Sequence, residues 1–379
     1  MRAGRRYLIF KFFPVLPKLF AKKFLGIDIG TSSIRLVELE KSGQVFGLSN
    51  YGQIDIDQIE SDIPKLSKRA VSVFSTGEIA EMIQAVSAAA KIHTRQCAFS
   101  IPDFSTFFTA FCLPPMTKKE LPEAVMYEAR QHIPLPVESV NIDWQLVGGV
   151  PGSSEKLEVT VAAIPNEIIA QYREIAAKAK LEVVLMEAEM FGLAQALVPK
   201  KEERCVCLID IGSQSTVCSL VEKQILRYSH SFDRGSGYLT DELVRRLPVN
   251  HEVAIRIKEN YGLKMISMIE PGIRERVKAD FRDALLPIFR EIETMFGSYR
   301  RFSNSEVVKI ILSGGIGANM EIKDIFADYF KKEVEIADPF KNIDHSAAIE
   351  KNLKSIGPVY AVAAGMAQRG LEFSKRRKK

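Results

Sequence analysis

The chain has 379 residues, more than one hydrophobic core usually organises, so two or more domains are expected. Its 46% hydrophobic and 26% charged residues are typical of a globular protein, and five irregularly spaced cysteines argue against disulfides and favour the cytoplasm. The net charge of +5 conceals two basic ends, residues 1–23 and 375–379, around a body that is net negative. This distribution argues against nucleic-acid binding, which needs a basic surface on the folded domain.

The basic N-terminal extension, residues 1–23, carries basic and aromatic side chains and no acid. No apolar run in it approaches the ~20 residues of a membrane-spanning helix. It also lacks the apolar region and small-residue cleavage site of a signal peptide. Two interpretations remain open: a segment that lies on an anionic membrane surface, or a disordered leader.

The first half of the chain alternates apolar strands with amphipathic helices. Strong alternation predicts a three-stranded meander over 24–56. A helix is predicted from Thr117 to Ile133, with Glu120 completing a capping box. The other predicted elements are helices over 77–91 and 166–179, strands over 97–101, 106–111, 141–147, 157–163 and 183–186, and a helix ending near Leu197. A linker over 199–203 ends this half.

The second half opens with two more strands over 208–221. Glycines at 235 and 237 break the pattern before the next helix. The remaining predicted elements are helices over 240–247, 251–261, 319–329 and 358–369, strands over 307–312 and 334–336, and a long helix over 276–302 interrupted at Pro287. This order is typical of an α/β fold with interior insertions.

One motif occurs in both halves, at residues 26–39 and 208–221. Each copy is an apolar strand, an aspartate (Asp28 or Asp210), a glycine turn with hydroxyl residues, and a second apolar strand. Turn amides and hydroxyls form a concavity that binds anions, and Mg²⁺ prefers one or two carboxylates beside phosphates. Two related halves that face each other across a phosphate-binding cleft are therefore predicted. The sequence has no Walker lysine motif.

A third glycine element follows the strand that ends at Ser313. Gly314 and Gly315 would let the backbone pass close to a flat ring before the next helix begins. A dinucleotide-binding interpretation is weaker, because the full G-x-G-x-x-G pattern is absent.

These three elements resemble the phosphate and adenosine motifs of the actin-like ATPase superfamily, and within it the chain is similar to the PilM family of type IV pilus assembly proteins and to FtsA. The segments most particular to PilM are residues 113–144 and 235–241. The resemblance implies an actin-like, ribonuclease-H-like duplicated two-domain fold with an inserted PilM/FtsA-type subdomain. Chains of this family usually start shortly before the first strand, so a start placed too early is a third interpretation of residues 1–23.

The implied domains are a first core half, an inserted subdomain, a second core half and its helical subdomain, with a basic extension and a basic tail. Their predicted ranges are 1–23 (extension), 24–91 and 164–203 (first half), 92–163 (insertion), 204–232 and 305–371 (second half), 233–304 (helical subdomain) and 372–379 (tail).

The resemblance also implies ATP and Mg²⁺ as ligands, with Asp28 and Asp210 holding the metal through water. The implied nucleotide-binding residues are Gly30, Thr31, Ser32, Ser33, Gly212, Ser213, Gln214, Ser215, Gly235, Lys258, Gly314 and Gly315. The acid expected three residues before Lys258 is Ile255 here, which weakens the case for ribose recognition.

Glu187 is the candidate for positioning a water at the γ-phosphate, from the head of the connecting helix. The structural alternative is an acid that complements the helix dipole. Hydrolysis, if it occurs, is expected to be slow.

The function that the resemblance implies is a cytoplasmic ATP-binding scaffold associated with the inner membrane. Its partner would be the N-terminal tail of a PilN-like membrane protein, and self-association is left open. Two alternatives are an FtsA-like division filament, which would need a C-terminal amphipathic membrane helix, and a small-molecule kinase, which would need a catalytic aspartate and a substrate pocket.

Overall fold

The computed structural model describes residues 23–56, 74–258, 271–303, 305–316 and 320–376. The predicted N-terminal extension, apart from Lys23, lies outside the described residues. Within the described residues, no helix combines the length and apolarity needed to cross a membrane.

A six-stranded sheet in the order β14-β3-β2-β1-β4-β8 forms the first half. The predicted meander is confirmed, because β1, β2 and β3 are consecutive antiparallel strands, and β4 and β8 extend the sheet in parallel. β1 is buried along nearly its whole length because helices cover the sheet. The strands are β1 (Lys23–Ile29), β2 (Ser33–Ser42), β3 (Val45–Asp55), β4 (Gln96–Ile101), β8 (Glu182–Ala188) and β14 (Ile343–Asp344). The helices are α1 (Thr76–Ala89), α3 (Asn166–Lys178) and α4 (Glu189–Leu197).

The inserted subdomain is a three-stranded sheet in the order β5-β7-β6 with one helix packed on it. Its elements are β5 (Phe107–Leu113), α2 (Leu121–His132), β6 (Val140–Gly148) and β7 (Leu157–Pro165). Val125 and Ala129 of α2 are fully buried against the apolar face of β7. The predicted boundary at residue 92 is wrong, because β4 lies between β1 and β8 in the first sheet and the insertion begins only after Ile101.

The second half is built on a five-stranded sheet in the order β11-β10-β9-β12-β13. β9 and β10 repeat the β1–β2 hairpin: Asp28 lies opposite Arg35, and Asp210 lies opposite Val217. The duplication predicted from the sequence is therefore present in the fold. The strands are β9 (Cys205–Ile211), β10 (Thr216–Glu222), β11 (Ile225–Phe232), β12 (Val307–Gly314) and β13 (Glu333–Ile336). The helices are α5 (Ser236–Arg246), α6 (His251–Lys258), α7 (Pro271–Phe302) and α8 (Met320–Phe330).

The final segment returns to the first half. β14 pairs with β3, and α9 (Glu350–Arg376) packs against β1, β2, β4 and α4. A Cβ on Gly365 would lie 1.9 Å from the carbonyl oxygen of Gly192, and one on Gly26 would lie 1.9 Å from that of Ala363. α9 therefore meets α4 and β1 backbone to backbone. The assignment of residues 305–371 to the second half is wrong from Ile343 onward.

The helix of the inserted subdomain begins later than the sequence predicts. The amide and hydroxyl of Thr117 both donate to Glu120 at 2.7 Å, but they close a separate turn, and α2 begins at Leu121. The next residue is proline, which suits the first turn of a helix because its missing N–H would be unpaired there.

Two prolines lie inside helices. α7 continues through Pro287, and α9 continues through Pro358 and onward to Arg376, so the predicted basic tail is partly helical. Each proline removes one backbone hydrogen bond. Around Pro287 the burial of Leu285 and Ile288 holds the helix in place.

Candidate functional site

The two hairpin loops face each other across a cleft of about 690 Å³. It lies where β1 and β9 end, and helices from both halves close it. Of the fifteen predicted site residues, twelve line this cleft: Asp28, Gly30, Thr31, Ser32, Ser33, Asp210, Gly212, Ser213, Ser215, Lys258, Gly314 and Gly315. The structure thus gathers groups that are far apart in the chain into one concave site.

The two loops share one backbone geometry. The amide of Gly30 donates to the Ser33 carbonyl at 3.0 Å, and the amide of Gly212 donates to the Ser215 carbonyl at 3.0 Å. Each loop therefore turns back within four residues, so that its hydroxyl side chains border the cleft. Turns of this kind can form a concavity for an anion, which is the role that the repeat predicts for them.

Gly235 does not line the cleft but packs behind the second loop. It is the N-cap of α5, and a Cβ there would lie 2.5 Å from the carbonyl oxygen of Ser213. The missing side chain of Gly235 lets α5 approach the loop, where the amide of Ser236 donates to the carbonyl oxygen of Gly212 at 2.8 Å. Gln214 is exposed and also lies outside the cleft lining.

The third glycine element continues the wall of the cleft. Gly314 has a φ of +85°, and a Cβ at this position would lie 2.3 Å from the carbonyl oxygen of Ile211. Glycine is therefore required for β12 to pass β9 at this point. Gly315 follows with open space beside it, so its backbone is accessible from the cleft.

Besides Asp55 in the cleft lining, four acidic side chains act on one another electrostatically at the cleft, and the sequence interpretation missed two of these four. Asp28 and Asp210 were predicted, whereas Asp103 and Glu189 were not. Burial raises the pKa of Asp210 to about 6 and that of Asp103 to about 8, and repulsion from Asp28 adds to both. Burial also raises the pKa of Glu189 well above its usual range, and Asp103 adds to that shift. A site that holds so much latent negative charge is suited to a cation.

Arg35 is the basic side chain that β2 brings into this acidic cluster. Its guanidinium lies 3.8 Å from the carboxylate of Asp28, which also accepts a 2.7 Å hydrogen bond from Ser100. Alternation along β2 alone was compatible with a solvated residue, but this side chain is mostly buried and lines the cleft.

Several polar atoms at the cleft have no hydrogen-bond partner within the described residues. They are the hydroxyl of Ser33, Nε of Arg35 and Oδ2 of Asp103. Buried polar atoms are almost always paired, so water or a ligand could complete the bonding of this group. Ser33 and Arg35 belong to the first loop and the strand that follows it. Two of these unpaired atoms therefore lie beside the predicted phosphate site.

The predicted cation site depends on the side chains present at the cleft. Among the described residues, no group of three or more potential ligands is close enough together to hold a metal directly. Mg²⁺ usually retains several waters and takes one or two carboxylates with substrate phosphates. Asp28 and Asp210, at the ends of β1 and β9, remain the residues predicted to hold such a cation.

The assignment of Glu187 to water positioning is wrong. Glu187 lies in β8, two residues before the connecting helix α4 begins, and is fully buried. Its carboxylate is held by Nε and Nη2 of Arg369, the latter at 2.6 Å. Glu189 is the acid at the head of α4, and it lines the cleft.

The far end of the cleft carries the predicted lysine. The ammonium of Lys258 donates to the Thr240 hydroxyl at 3.0 Å and to the Ser236 carbonyl at 3.2 Å. Ile255 lines the same wall, while Glu252 is exposed and paired with Arg256. Within the described part of α6, no carboxylate therefore faces a ribose.

Comparison with known proteins decides the family. Residues 26–371 match the family model of the type IV pilus assembly protein PilM. The chain belongs to this family. The match covers nearly the whole chain, both hairpins and the inserted subdomain, and it confirms the resemblance stated from the sequence.

Curated relatives are more distant. The cell division protein FtsA of Streptococcus pneumoniae is 22% identical over 261 residues, 63% of this chain and 56% of that protein. FtsA of Staphylococcus epidermidis is 20% identical over 200 residues, 49% of this chain and 43% of that protein. The chain spans about half the length of the curated relatives it matches.

Solved structures agree on the fold. The structure described as the PilM-PilN type IV pilus biogenesis complex has a TM-score of 0.74 and 22% identity, covering 92% of this chain and 98% of that chain. MreB5 of Spiroplasma citri bound to AMPPNP has a TM-score of 0.54 and 12% identity, covering 95% and 99%. The actin-like fold predicted from the sequence is confirmed.

Proposed function

We propose that this protein is an actin-like scaffold of type IV pilus assembly that binds ATP with Mg²⁺ in the cleft between its halves. The observation that carries the proposal is the pair of matching hairpin loops, whose turns and carboxylates converge on one cleft with unpaired polar atoms. Membership of the PilM family supports it, and the AMPPNP-bound MreB5 shares the fold.

The residues divide by chemistry. The amides and hydroxyls of the two loops would cradle phosphate oxygens, and Arg35 would offset their charge. Asp28 and Asp210 would hold Mg²⁺ through its waters, and the cation would neutralise phosphate charge when bound. Gly314 and Gly315 would border the base.

Hydrolysis would fall to Glu189 rather than to Glu187. Glu189 borders the cleft at the start of a helix, where a carboxylate could orient a water. Because burial and then the surrounding acids raise its pKa, Glu189 would hold a proton and be unable to accept one until a cation offsets the negative charge. Slow turnover is therefore expected.

Nucleotide binding is tested by Asp210→Ala, with Asp344→Ala as the control because Asp344 is an exposed acid far along the chain on β14. Calorimetric titration with ATP and Mg²⁺ should show binding by the wild type and the control, and none by Asp210→Ala. Circular dichroism would verify that all three are folded. Equal affinity in the wild type and Asp210→Ala would contradict the two-loop site.

The proposed partner is the N-terminal cytoplasmic tail of a PilN-like protein, bound at the inserted subdomain. β6 is the outer strand of that sheet, and after Val140 its residues are only partly buried. β5, at the other edge, lies beside β11 of the second half. An extended peptide adds naturally to a strand edge, where backbone hydrogen bonds give affinity and side-chain pockets give selectivity.

Excising the insertion tests this placement. Phe107 and Ala163 lie opposite each other on neighbouring strands, so a short Gly-Ser linker can replace residues 107–163. The excised protein should no longer bind the tail peptide, as measured by fluorescence anisotropy, and should still bind ATP. Undiminished peptide binding would place the partner site elsewhere.

Peripheral association with the inner membrane is proposed for the basic extension. Each basic residue near an anionic surface contributes about 1 kcal/mol. Deleting residues 1–22, which stops short of β1, should abolish sedimentation with anionic vesicles at low salt. Sedimentation equal to that of the full chain would argue against an anchoring role.

A further inference from the structure

Asp103 has a placement that helix capping alone does not explain. It lies in a short helical turn, Asp103–Ser105, between β4 and β5, and is 6% exposed. One carboxylate oxygen, Oδ1, accepts a long 3.5 Å hydrogen bond from the amide of Met190 in the first turn of α4. The other, Oδ2, is buried and has no hydrogen-bond partner among the described residues. A buried carboxylate oxygen without a partner is costly, so a component that donates to Oδ2 would be stabilising at this place.

The surroundings indicate what that component is. Asp103 shares its environment with Asp28 at the end of β1 and with Asp210 at the end of β9, and both act on it electrostatically. Glu189 is closer still, because its carboxylate accepts a hydrogen bond from the backbone of Asp103. An unpaired oxygen among three other carboxylates is repelled by each of them. A divalent cation with its waters would offset that repulsion and supply donors.

β4 explains why Asp103 reaches this place. It runs parallel to β1 in the same sheet, and Phe99 lies beside Ile27. Parallel strands end at the same edge, so the turn after β4 emerges next to Asp28. The Ser100 hydroxyl, at the end of β4, already donates to Asp28.

We propose that Asp103 is a positioning residue for the hydrated Mg²⁺ that accompanies nucleotide, accepting a hydrogen bond from the water shell of the cation through Oδ2. The inference rests on the proposed ATP site and adds a third carboxylate to the two expected from the hairpins. Residues that orient a metal from outside its direct ligands typically contribute 10–100-fold to metal affinity, in order of magnitude.

Asp103→Asn separates this role from capping. Asparagine has nearly the same shape as aspartate and keeps Oδ1, so the bond to Met190 and the fold should survive, while the charge and one acceptor oxygen are lost. ATP affinity is measured by calorimetry on the full chain, once with magnesium chloride and once with EDTA. In the wild type the cation should strengthen binding. In Asp103→Asn the ratio of ATP affinity with magnesium to ATP affinity in EDTA should fall by about 10–100-fold, while the affinity in EDTA itself stays unchanged.

The control is Asp344→Asn, which removes an equal charge from exposed β14. Asp103→Ser, which keeps a small polar side chain but no carboxylate, serves as the second variant if Asp103→Asn does not fold. A cation-dependent gain in Asp103→Asn within about twofold of the wild type, against the 10–100-fold loss expected, would overturn this inference and leave the ATP site standing. No ATP binding by the wild type would overturn both.

Discussion

The buried pair of Glu187 and Arg369 permits a sharp prediction about stability. The pair joins β8 to α9 across 182 residues of chain, with the two side chains 0% and 6% exposed. Replacing Arg369 by methionine keeps most of the volume but leaves a carboxylate buried without its partner. Breaking such a pair costs about 3–5 kcal/mol. The guanidinium also lies 5.4 Å from the ring centre of Phe191, which adds up to about 1 kcal/mol.

A loss of about 3–6 kcal/mol is large beside the roughly 5–15 kcal/mol by which native proteins are stable. Replacing both partners, in Glu187→Leu with Arg369→Met, should recover most of this loss, because two apolar side chains leave no unpaired charge. Burial already raises the pKa of Glu187, and removing Arg369 raises it further. The carboxyl of the single variant would therefore be neutral at acidic pH, so its deficit should shrink as pH falls.

Urea unfolding followed by circular dichroism measures these differences for the wild type, both single variants and the double variant. A loss of unfolding free energy below about 1 kcal/mol in Arg369→Met would mean that this ion pair is no stronger than an exposed one, which would contradict the argument from its burial. If Glu187→Gln had unchanged stability but hydrolysed ATP more slowly than the wild type, the catalytic interpretation of Glu187 would be restored.

Two further predictions concern packing and pH. Gly365→Val should destabilise the fold by about 3 kcal/mol or more, because its Cβ would collide with the Gly192 carbonyl. Thermal unfolding should show a lower melting temperature, and an unchanged one would refute the close crossing of α9 and α4. The pKa of Asp210 is raised from 3.8 to about 6, so the folded protein without cation keeps a proton that the unfolded chain releases. Stability should therefore fall by about 3 kcal/mol as pH rises from about 4 to about 6. Asp210→Asn should remove that part of the slope in urea titrations, and an unaltered slope would assign it to other groups.

The fold was largely predictable because its signals are local. Each hairpin is a continuous stretch in which apolar alternation and a glycine turn determine the pairing. Their repetition then implied two facing halves. The boundary of the insertion was missed because β4 is a short apolar strand, and nothing within it says which of two sheets it joins. The return of α9 to the first half depends on contacts between segments far apart in the chain, so the local pattern carried no sign of it.

The site was predictable where it coincided with the repeat. The shift from Glu187 to Glu189 arises because β8 continues two residues beyond the predicted strand region, which moves the head of α4. The partner of Glu187 is Arg369, and no sequence pattern links them. Asp103 was missed because the predicted strand before it, over 97–101, was assigned to the inserted subdomain rather than to the sheet of the first hairpin.

The return of α9 has a consequence for how the chain folds as it is made. The second sheet and its helices come from one continuous stretch, Cys205 to Ile336, and can close as soon as that stretch is available. The first half cannot complete its fold at that stage, because β1 stays uncovered until the segment around Ala363 has been synthesised and packs against Gly26. The half that is translated first is therefore expected to finish folding last. Its apolar strands remain exposed to chaperones and proteases throughout synthesis of the second half.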